Sequence, residues 1–350
     1  MKVGSDFSGI GAPEMALKYM GIDFDSVFAC EIDKYSRKSF EQLHNPKTFF
    51  NDITTRNHKE VEQLDLYVAG FPCQAFSMAG KRKGFDEARG TLFFNVADFI
   101  KQNQPKCFVL ENVRGLLSHD KGRTFQTIVD ILSNGGGTQN GQISLDMFDD
   151  GLGYHIYWQV LNTKDYGIPQ NRERIFIIGF KDFRDFRFPK EIPLELKLKD
   201  ILQDKVNDKY FLSDKAINGI ENTNFIQYKN IVQKYDVCGC LLATDYKMPK
   251  SIEVISHSLH PRTGDPKKGG TGRLSKNDGT SYCLDTGNAQ AVEFNKKIRR
   301  LTPLECWRLQ GFKDKDFFKV KDVSDTQLYK QAGNSITVDV LIHLFRKIYG

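Results

Sequence analysis

Leu64-Asp65-Leu66-Tyr67-Val68-Ala69-Gly70-Phe71-Pro72-Cys73-Gln74-Ala75-Phe76-Ser77 is the stretch on which the reading of this 350-residue chain turns. Leu64–Ala69 is a short apolar run bounded by turn residues, as buried strands are. The run then breaks into Gly70-Phe71-Pro72. The proline fixes the backbone directly before Cys73, so the thiol sits at a rigid strand exit.

Working outward, similar apolar stretches at Ser26–Cys30, Cys107–Leu110, Tyr154–Leu161 and Ile175–Phe180 predict further strands. Between them, Ala12–Met20, Phe93–Gln102 and Phe125–Leu132 place apolar residues on one helical face. This alternation predicts an α/β fold with a doubly wound sheet and ligand sites at the carboxyl ends of its strands. Asn134–Gly153, with Gly135-Gly136-Gly137, reads as an inserted surface loop around 135–149. From about 181 the rhythm changes to short β-like pieces rich in Gly, Asn and Lys, and helical pattern returns at Thr302–Gln310 and Ser335–Tyr349. The expected organisation is a first domain over 1–180, a smaller, irregular, β-rich domain over 181–298, and helices over 299–350 that return to the first.

Hydrophobic residues make up 40% and charged residues 27%, which excludes a disordered chain. No apolar run approaches the roughly 20 residues a membrane helix needs, and Met1–Asp6 leads into a strand without the apolar stretch of a secretion signal. The seven cysteines include no CxxC pair, and Cys238-Gly239-Cys240 is a poor match to zinc spacings, so reduced thiols in a cytoplasm and no metal are expected. Residues 181–300 hold 22 Lys and Arg against 16 Asp and Glu, so the net charge of +6 lies wholly there. Lys247–Lys276 alone has seven basic and two acidic residues. A basic module beside a neutral one suits a polyanion partner, although a solvated lysine-rich surface has the same composition.

Phe7-Ser8-Gly9-Ile10-Gly11-Ala12 is a glycine-rich turn between a strand and a helix. Such a turn lets the backbone approach a ligand closely. Glu31 ends the second strand, where an acid can accept from a ribose diol, and Asp52 follows a third β-like piece, where it can accept from an adenine amino group. Together they suggest a nucleoside-containing cofactor. Beside Cys73, the strand Phe108–Leu110 ends in Glu111-Asn112-Val113, and Gln170-Asn171-Arg172-Glu173-Arg174 precedes the strand at Ile175. If that segment is extended, Arg172 and Arg174 point to one face. Thiol, carboxyl and guanidinium then converge on one sheet edge.

Pro72-Cys73-Gln74 with Phe76-Ser77, Glu111-Asn112-Val113 and Gln170–Arg174 resemble the signature motifs of the cytosine-C5 DNA methyltransferases of bacterial and phage restriction-modification type. Phe7–Gly11 resembles that family's first motif, Arg300-Leu301-Thr302-Pro303-Leu304-Glu305-Cys306-Trp307-Arg308-Leu309-Gln310-Gly311-Phe312 its late helical motif, and Gly333-Asn334-Ser335-Ile336 its last. Only about 181–298 is unmatched, where the family keeps its variable target-recognition domain.

The resemblance implies S-adenosyl-L-methionine as methyl donor and double-stranded DNA as substrate. A thiolate at Cys73 would add to cytosine carbon 6 and make carbon 5 nucleophilic. Glu111 would support protonation at N3, and Arg172 would bind O2, with Arg174 ranked second. Asn112 would orient Glu111 and the neighbouring loop. Phe7, Gly9, Gly11, Glu31, Ile32, Asp52, Pro72, Asn334 and Ser335 would line the cofactor site. The target base must flip out of the duplex, and Gln74, Ser77, Lys81, Arg82, Lys83 and Arg89 would contact the DNA. The protein is expected to act as a cytoplasmic monomer, any cognate restriction endonuclease being a separate protein.

Two departures from the family pattern stand out. Gly4, Ser5 and Asp6 make the first strand more polar than usual, which predicts fraying, and the loop near 135–149 is long. Three alternatives fit less well. A tRNA cytosine-C5 methyltransferase typically has a second proline beside Pro-Cys and threonine at the position of Ser77. An idle DNA-binding relative tends to lose the nucleophile or its acid. A nicotinamide dehydrogenase leaves Pro72-Cys73-Gln74 unexplained and would need a GxGxxG turn.

Overall fold

The computed structural model describes residues 1–72, 92–133, 138–139, 142–143, 151–211, 213, 255–258, 274–276, 280–282, 290–294 and 297–350. Five parallel strands form most of the main sheet: β1 (Lys2–Asp6), β2 (Asp25–Cys30), β3 (Thr48–Phe50), β4 (Leu66–Gly70) and β5 (Cys107–Val113). A short pair, β6 (Thr138–Gln139) and β7 (Gln142–Ile143), lies within the expected surface insertion, of which residues 134–137, 140–141 and 144–150 are outside the described set. The strands β8 (His155–Asn162) and β10 (Glu173–Phe180) complete the sheet, with β9 (Gln170–Asn171) before β10. The order is β3-β2-β1-β4-β5-β10-β8, and β10 runs antiparallel to both neighbours. The chain winds outward from β1 to β3, then returns to β4 on the other side of β1. That reversal opens a crevice at the carboxyl ends of β1 and β4, where an α/β sheet accepts its ligands.

Alternate strand residues feed two cores, as the period of a pleated strand dictates. Val3, Val68, Val109 and Ile178 join one cluster with α1 (Ala12–Met20), and Phe28, Tyr67, Phe108 and Ile177 join the other. The second cluster is closed by α3 (Leu92–Asn103) and α4 (Arg123–Leu132). The remaining early helix, α2 (Lys34–Leu43), is polar and starts at Asp33, whose carboxylate accepts from the Tyr35 and Ser36 amides.

The fraying expected of β1 does not occur. The strand lies between β2 and β4, and each polar residue has a reason to be buried. A Cβ at Gly4 would sit 2.2 Å from the Phe28 ring, so only glycine lets these strands pack. Ser5 donates to Glu14 of α1 at 2.9 Å, and Asp6 accepts from Arg56 and Tyr67.

Beyond β10 the chain stays in the first core through Phe186, Leu198 and Ile201, the last two in α5 (Leu198–Ile201). An antiparallel sheet of order β12-β11-β14-β15 follows: β11 (Ile255–Ser258), β12 (Leu274–Lys276), β14 (Gln290–Phe294) and β15 (Lys297–Arg300). The intervening β13 (Ser281–Tyr282) pairs in parallel with β9. Most of residues 212–289 lie outside the described set. β15 runs across the boundary expected at 298 and leads into α6 (Pro303–Arg308), α7 (Asp314–Phe317), α8 (Asp325–Asn334) and α9 (Val338–Tyr349).

Glu305 of α6 ties the two ends of the 204–298 segment together. It accepts both Arg299 guanidinium nitrogens at 2.8 Å and the Gln203 amide at 2.7 Å, and it closes a capping box with Thr302. Helix α9 packs on α1 through Leu341, Leu344 and Phe345, so the last helix covers one face of the sheet. No helix among the described residues is long and apolar enough to cross a membrane.

Candidate active site

The turn after β1 runs through left-handed backbone at Phe7 (φ 53°), Gly9 (φ 55°) and Gly11 (φ 78°). At Gly11 a side chain would meet the His44 ring at 2.3 Å, so the turn folds tightly over α2 only because Cβ is missing. The turn is also fastened. The Ser8 amide donates to the Cys30 carbonyl at 3.0 Å, and the Cys30 amide donates back to Ser8 Oγ at 2.9 Å. Burial pushes the His44 imidazole down to about 3, so it stays neutral; its Nε2 meets the Ile10 carbonyl at 3.1 Å and its Nδ1 meets Lys18 Nζ at 3.0 Å.

Glu31 leaves β2 directly opposite. Its carboxylate accepts the Gly9 amide at 2.9 Å and the Asp33 amide at 2.8 Å. Ile32 next to it is 74% exposed, an apolar side chain at the rim of the crevice. Asp52 follows β3 and holds its own turn, accepting the Thr54 amide and hydroxyl at 2.8 Å each. Helix α8 brings Asn334 and Ser335 to the same region, because Lys330 pairs with Asp33 at 2.7 Å and Gln331 donates to Ser39 at 2.9 Å. Neither docking contact is visible in sequence, though Asp33 ahead of a helix is a recognisable cap signal.

On the other side of the crevice β4 ends at Gly70, followed by buried Phe71 and exposed Pro72. A Cβ at Gly70 would lie 3.4 Å from Glu111 Oε2 and 3.6 Å from Ile336 Cδ1, so three separate motifs meet there. Glu111, 9% exposed near the end of β5, accepts Arg174 Nε at 3.0 Å. Asn112 links the two strand exits: its amide donates to the Phe71 carbonyl at 2.9 Å while its oxygen accepts the Val113 amide at 2.8 Å. The backbone that leads into Cys73 is therefore braced from the strand that carries Glu111. Cys73 itself lies outside the described residues, as do Gln74, Ser77, Lys81, Arg82, Lys83 and Arg89.

The two arginines make different contacts among the described residues. Arg172 falls between β9 and β10, where its amide donates to Asn162 Oδ1 at 3.0 Å. Its side chain is 4% exposed and donates to the carbonyls of Gly333 (3.2 Å) and Ser335 (2.9 Å). Arg174 lies on β10 and faces Glu111. The sequence ranks Arg172 first and Arg174 second for a role at the reacting base; the structure puts Arg174 beside the carboxylate and Arg172 against the backbone of the last motif.

Comparison with known proteins gives the family. The family model for C-5 cytosine-specific DNA methylase matches residues 1–350. Type II methyltransferase M.NgoBI of Neisseria gonorrhoeae is 37% identical, over 98% of this chain and 90% of that one. Orphan methyltransferase M.SPRI of Bacillus phage SPR is 33% identical, over 99% and 97%. Among solved structures, the S. pombe Dnmt2 methyltransferase superposes with a TM-score of 0.66 at 18% identity, over 99% of this chain and 97% of that one, which shows the shared fold. The chain belongs to the C-5 cytosine-specific DNA methylase family, and is a DNA cytosine-C5 methyltransferase.

Proposed function

We propose that the protein methylates a flipped-out cytosine within a specific double-stranded DNA site, with Cys73 as nucleophile and S-adenosyl-L-methionine as donor. The observation that carries this reading is the Arg174–Glu111 pair, held beside the braced backbone that enters Cys73. The Cys73 thiolate adds to cytosine carbon 6, and the electron pair pushed into the ring makes carbon 5 nucleophilic. Glu111 contacts N3 and supports protonation there, and Arg174 stabilises the negative charge that builds on O2. Arg172 acts behind them, fixing the Gly333–Ser335 backbone. The group that removes the carbon-5 proton is not assigned.

The residues at the β1–β2 exits fit the cofactor. The tight turn at Phe7, Gly9 and Gly11 leaves open space at Gly9, where a Cβ would meet only the Phe7 carbonyl oxygen at 4.0 Å, and Glu31 offers carboxylate oxygens to a ribose diol. Ile32 gives an apolar platform, Asp52 an acceptor for an amino group, and Pro72, Asn334 and Ser335 line the far side. When bound, the cofactor supplies an electrophilic methyl group. Gln74, Ser77, Lys81, Arg82, Lys83 and Arg89 contact DNA, and the segment between about 204 and 298 reads the sequence. The protein acts as a cytoplasmic monomer, with any partner endonuclease separate.

Duplex DNA with 5-fluorocytosine at the target site tests the scheme. The expected result is a denaturation-resistant adduct with the native protein and none with Cys73→Ala. An adduct that survives Cys73→Ala, or its absence with an enzyme active on cytosine, refutes it.

A further inference from the structure

Behind the cofactor-facing crevice lies a buried cluster of charge that the reaction itself does not use. Asp6 is the last residue of β1, directly before Phe7. Arg56 lies four residues after Asp52. Tyr67 is on β4, opposite Gly4. Asp6 is 1% exposed, Arg56 6% and Tyr67 0%. One Asp6 oxygen accepts Arg56 Nη1, and the other accepts the Tyr67 hydroxyl. The Arg56 guanidinium lies against the rings of Phe28, 4.9 Å from its centroid, and Phe99, 4.2 Å away. Arg56 Nε and Nη2 find no acceptor among the described residues.

A buried ion pair is weak evidence for stability, since well-packed apolar side chains of similar volume often do as well. What this pair does is geometric. It ties the segment that carries Asp52 and Ile53 to the residue that precedes Phe7. Phe7 is a non-glycine residue in left-handed backbone, a conformation that persists only where its surroundings hold it. Asp6 anchors it on one side, and the Ser8–Cys30 bonds anchor it on the other.

We propose that Arg56, with Asp6 and Tyr67, is a positioning residue for the cofactor: a strut that holds Asp52 and Phe7 in register with Glu31. This rests on the cofactor reading above. Loosening the strut lets the adenosine end of the crevice relax while Glu111, Arg174 and the DNA-binding surfaces stay in place.

The test measures S-adenosylhomocysteine binding by calorimetry, the KM for each substrate, kcat and thermal unfolding without cofactor. Tyr67→Phe removes one hydrogen bond to Asp6 and should raise the cofactor Kd and KM about three- to tenfold, the worth of one such bond. Its kcat at saturation and its KM for DNA should stay within about twofold of the native values. Arg56→Met keeps much of the bulk and should weaken cofactor binding more than Tyr67→Phe does. Should Arg56→Met fail to fold, Tyr67→Phe decides alone. A folded Tyr67→Phe protein with the native cofactor Kd overturns the proposal, even if its unfolding temperature falls. Glu31→Ala separates the two readings. If it loses cofactor affinity while Tyr67→Phe does not, only the strut fails. If Glu31→Ala binds as the native protein does, the cofactor site is misassigned and the strut falls with it.

Discussion

Replacing Glu14 by Gln should make the protein's stability less dependent on pH between 5 and 8. Glu14 is the third residue of α1 and is completely buried beneath the turn at Phe7–Gly11. Ser5 donates to its Oε1 at 2.9 Å, while Oε2 has no partner among the described residues. Burial raises the carboxyl from an ordinary 4.5 to about 7, against smaller opposing effects of its own backbone amide, Ser5 and Lys18. The folded protein therefore binds this proton more tightly than the unfolded chain. Stability is lost as pH rises from the unfolded value through the folded one, and the loss levels off above about 7. A shift of this size, at 1.36 kcal/mol per unit, sets the loss at about 3 kcal/mol. Glutamine keeps the shape and the acceptor for Ser5 but cannot ionise. In urea titrations, the stability of Glu14→Gln relative to the native protein should climb by roughly 2 kcal/mol from pH 5 to pH 8 and stay flat beyond. A difference independent of pH, or one that falls, would show that the carboxylate is accommodated in its ionised form and refute the reasoning.

Other substitutions probe the rest of the molecule. Glu305→Ala leaves Arg299 buried without its partner, so urea unfolding should show a loss of about 3–5 kcal/mol; a loss below 1 kcal/mol would mean that the pair is replaceable. Gly4→Ala drives a methyl into the Phe28 ring and should destabilise by about 1–3 kcal/mol, with a native-like melting temperature counting against the close strand packing described. Arg174→Ala should lower kcat about a hundredfold or more while the melting temperature changes little. Arg172→Ala should instead lower the melting temperature and weaken cofactor binding, because two carbonyls lose their donor. The reverse pattern would restore Arg172 to the reacting base.

Much of the sheet was legible because its strands are buried on both faces and read as uninterrupted apolar runs. Helix α1 was legible to the residue, with Pro13 near its start and Gly21 just past its end. Helix α2 was not, because two of its four buried residues are Ser36 and Ser39, so its inner face has no apolar stripe. The polarity of β1 suggested fraying because, apart from the Ser5–Ser8 contact, the partners of Ser5 and Asp6 are 9, 50 and 61 residues away, beyond any local pattern. At the site, Glu111 and the strand exit at Pro72 could be placed from motif and strand pattern together. The separate partners of Arg172 and Arg174 could not, since the Arg172 amide is caught by Asn162, ten residues away, and its side chain by carbonyls more than 160 residues away.

The meeting of Gln203 and Arg299 at a single carboxylate has a consequence for how such a protein can change. The two stems of the interposed segment are fixed to each other whatever the chain between them does. What grows from those stems is a closed loop, and doubling the length of a flexible loop raises its closure cost by only about 0.6 kcal/mol. The intervening hundred or so residues are then free to be lengthened, trimmed or exchanged over evolutionary time while the sheet and its chemistry stay intact. One glutamate thus acts as a socket for whatever insert joins the two stems.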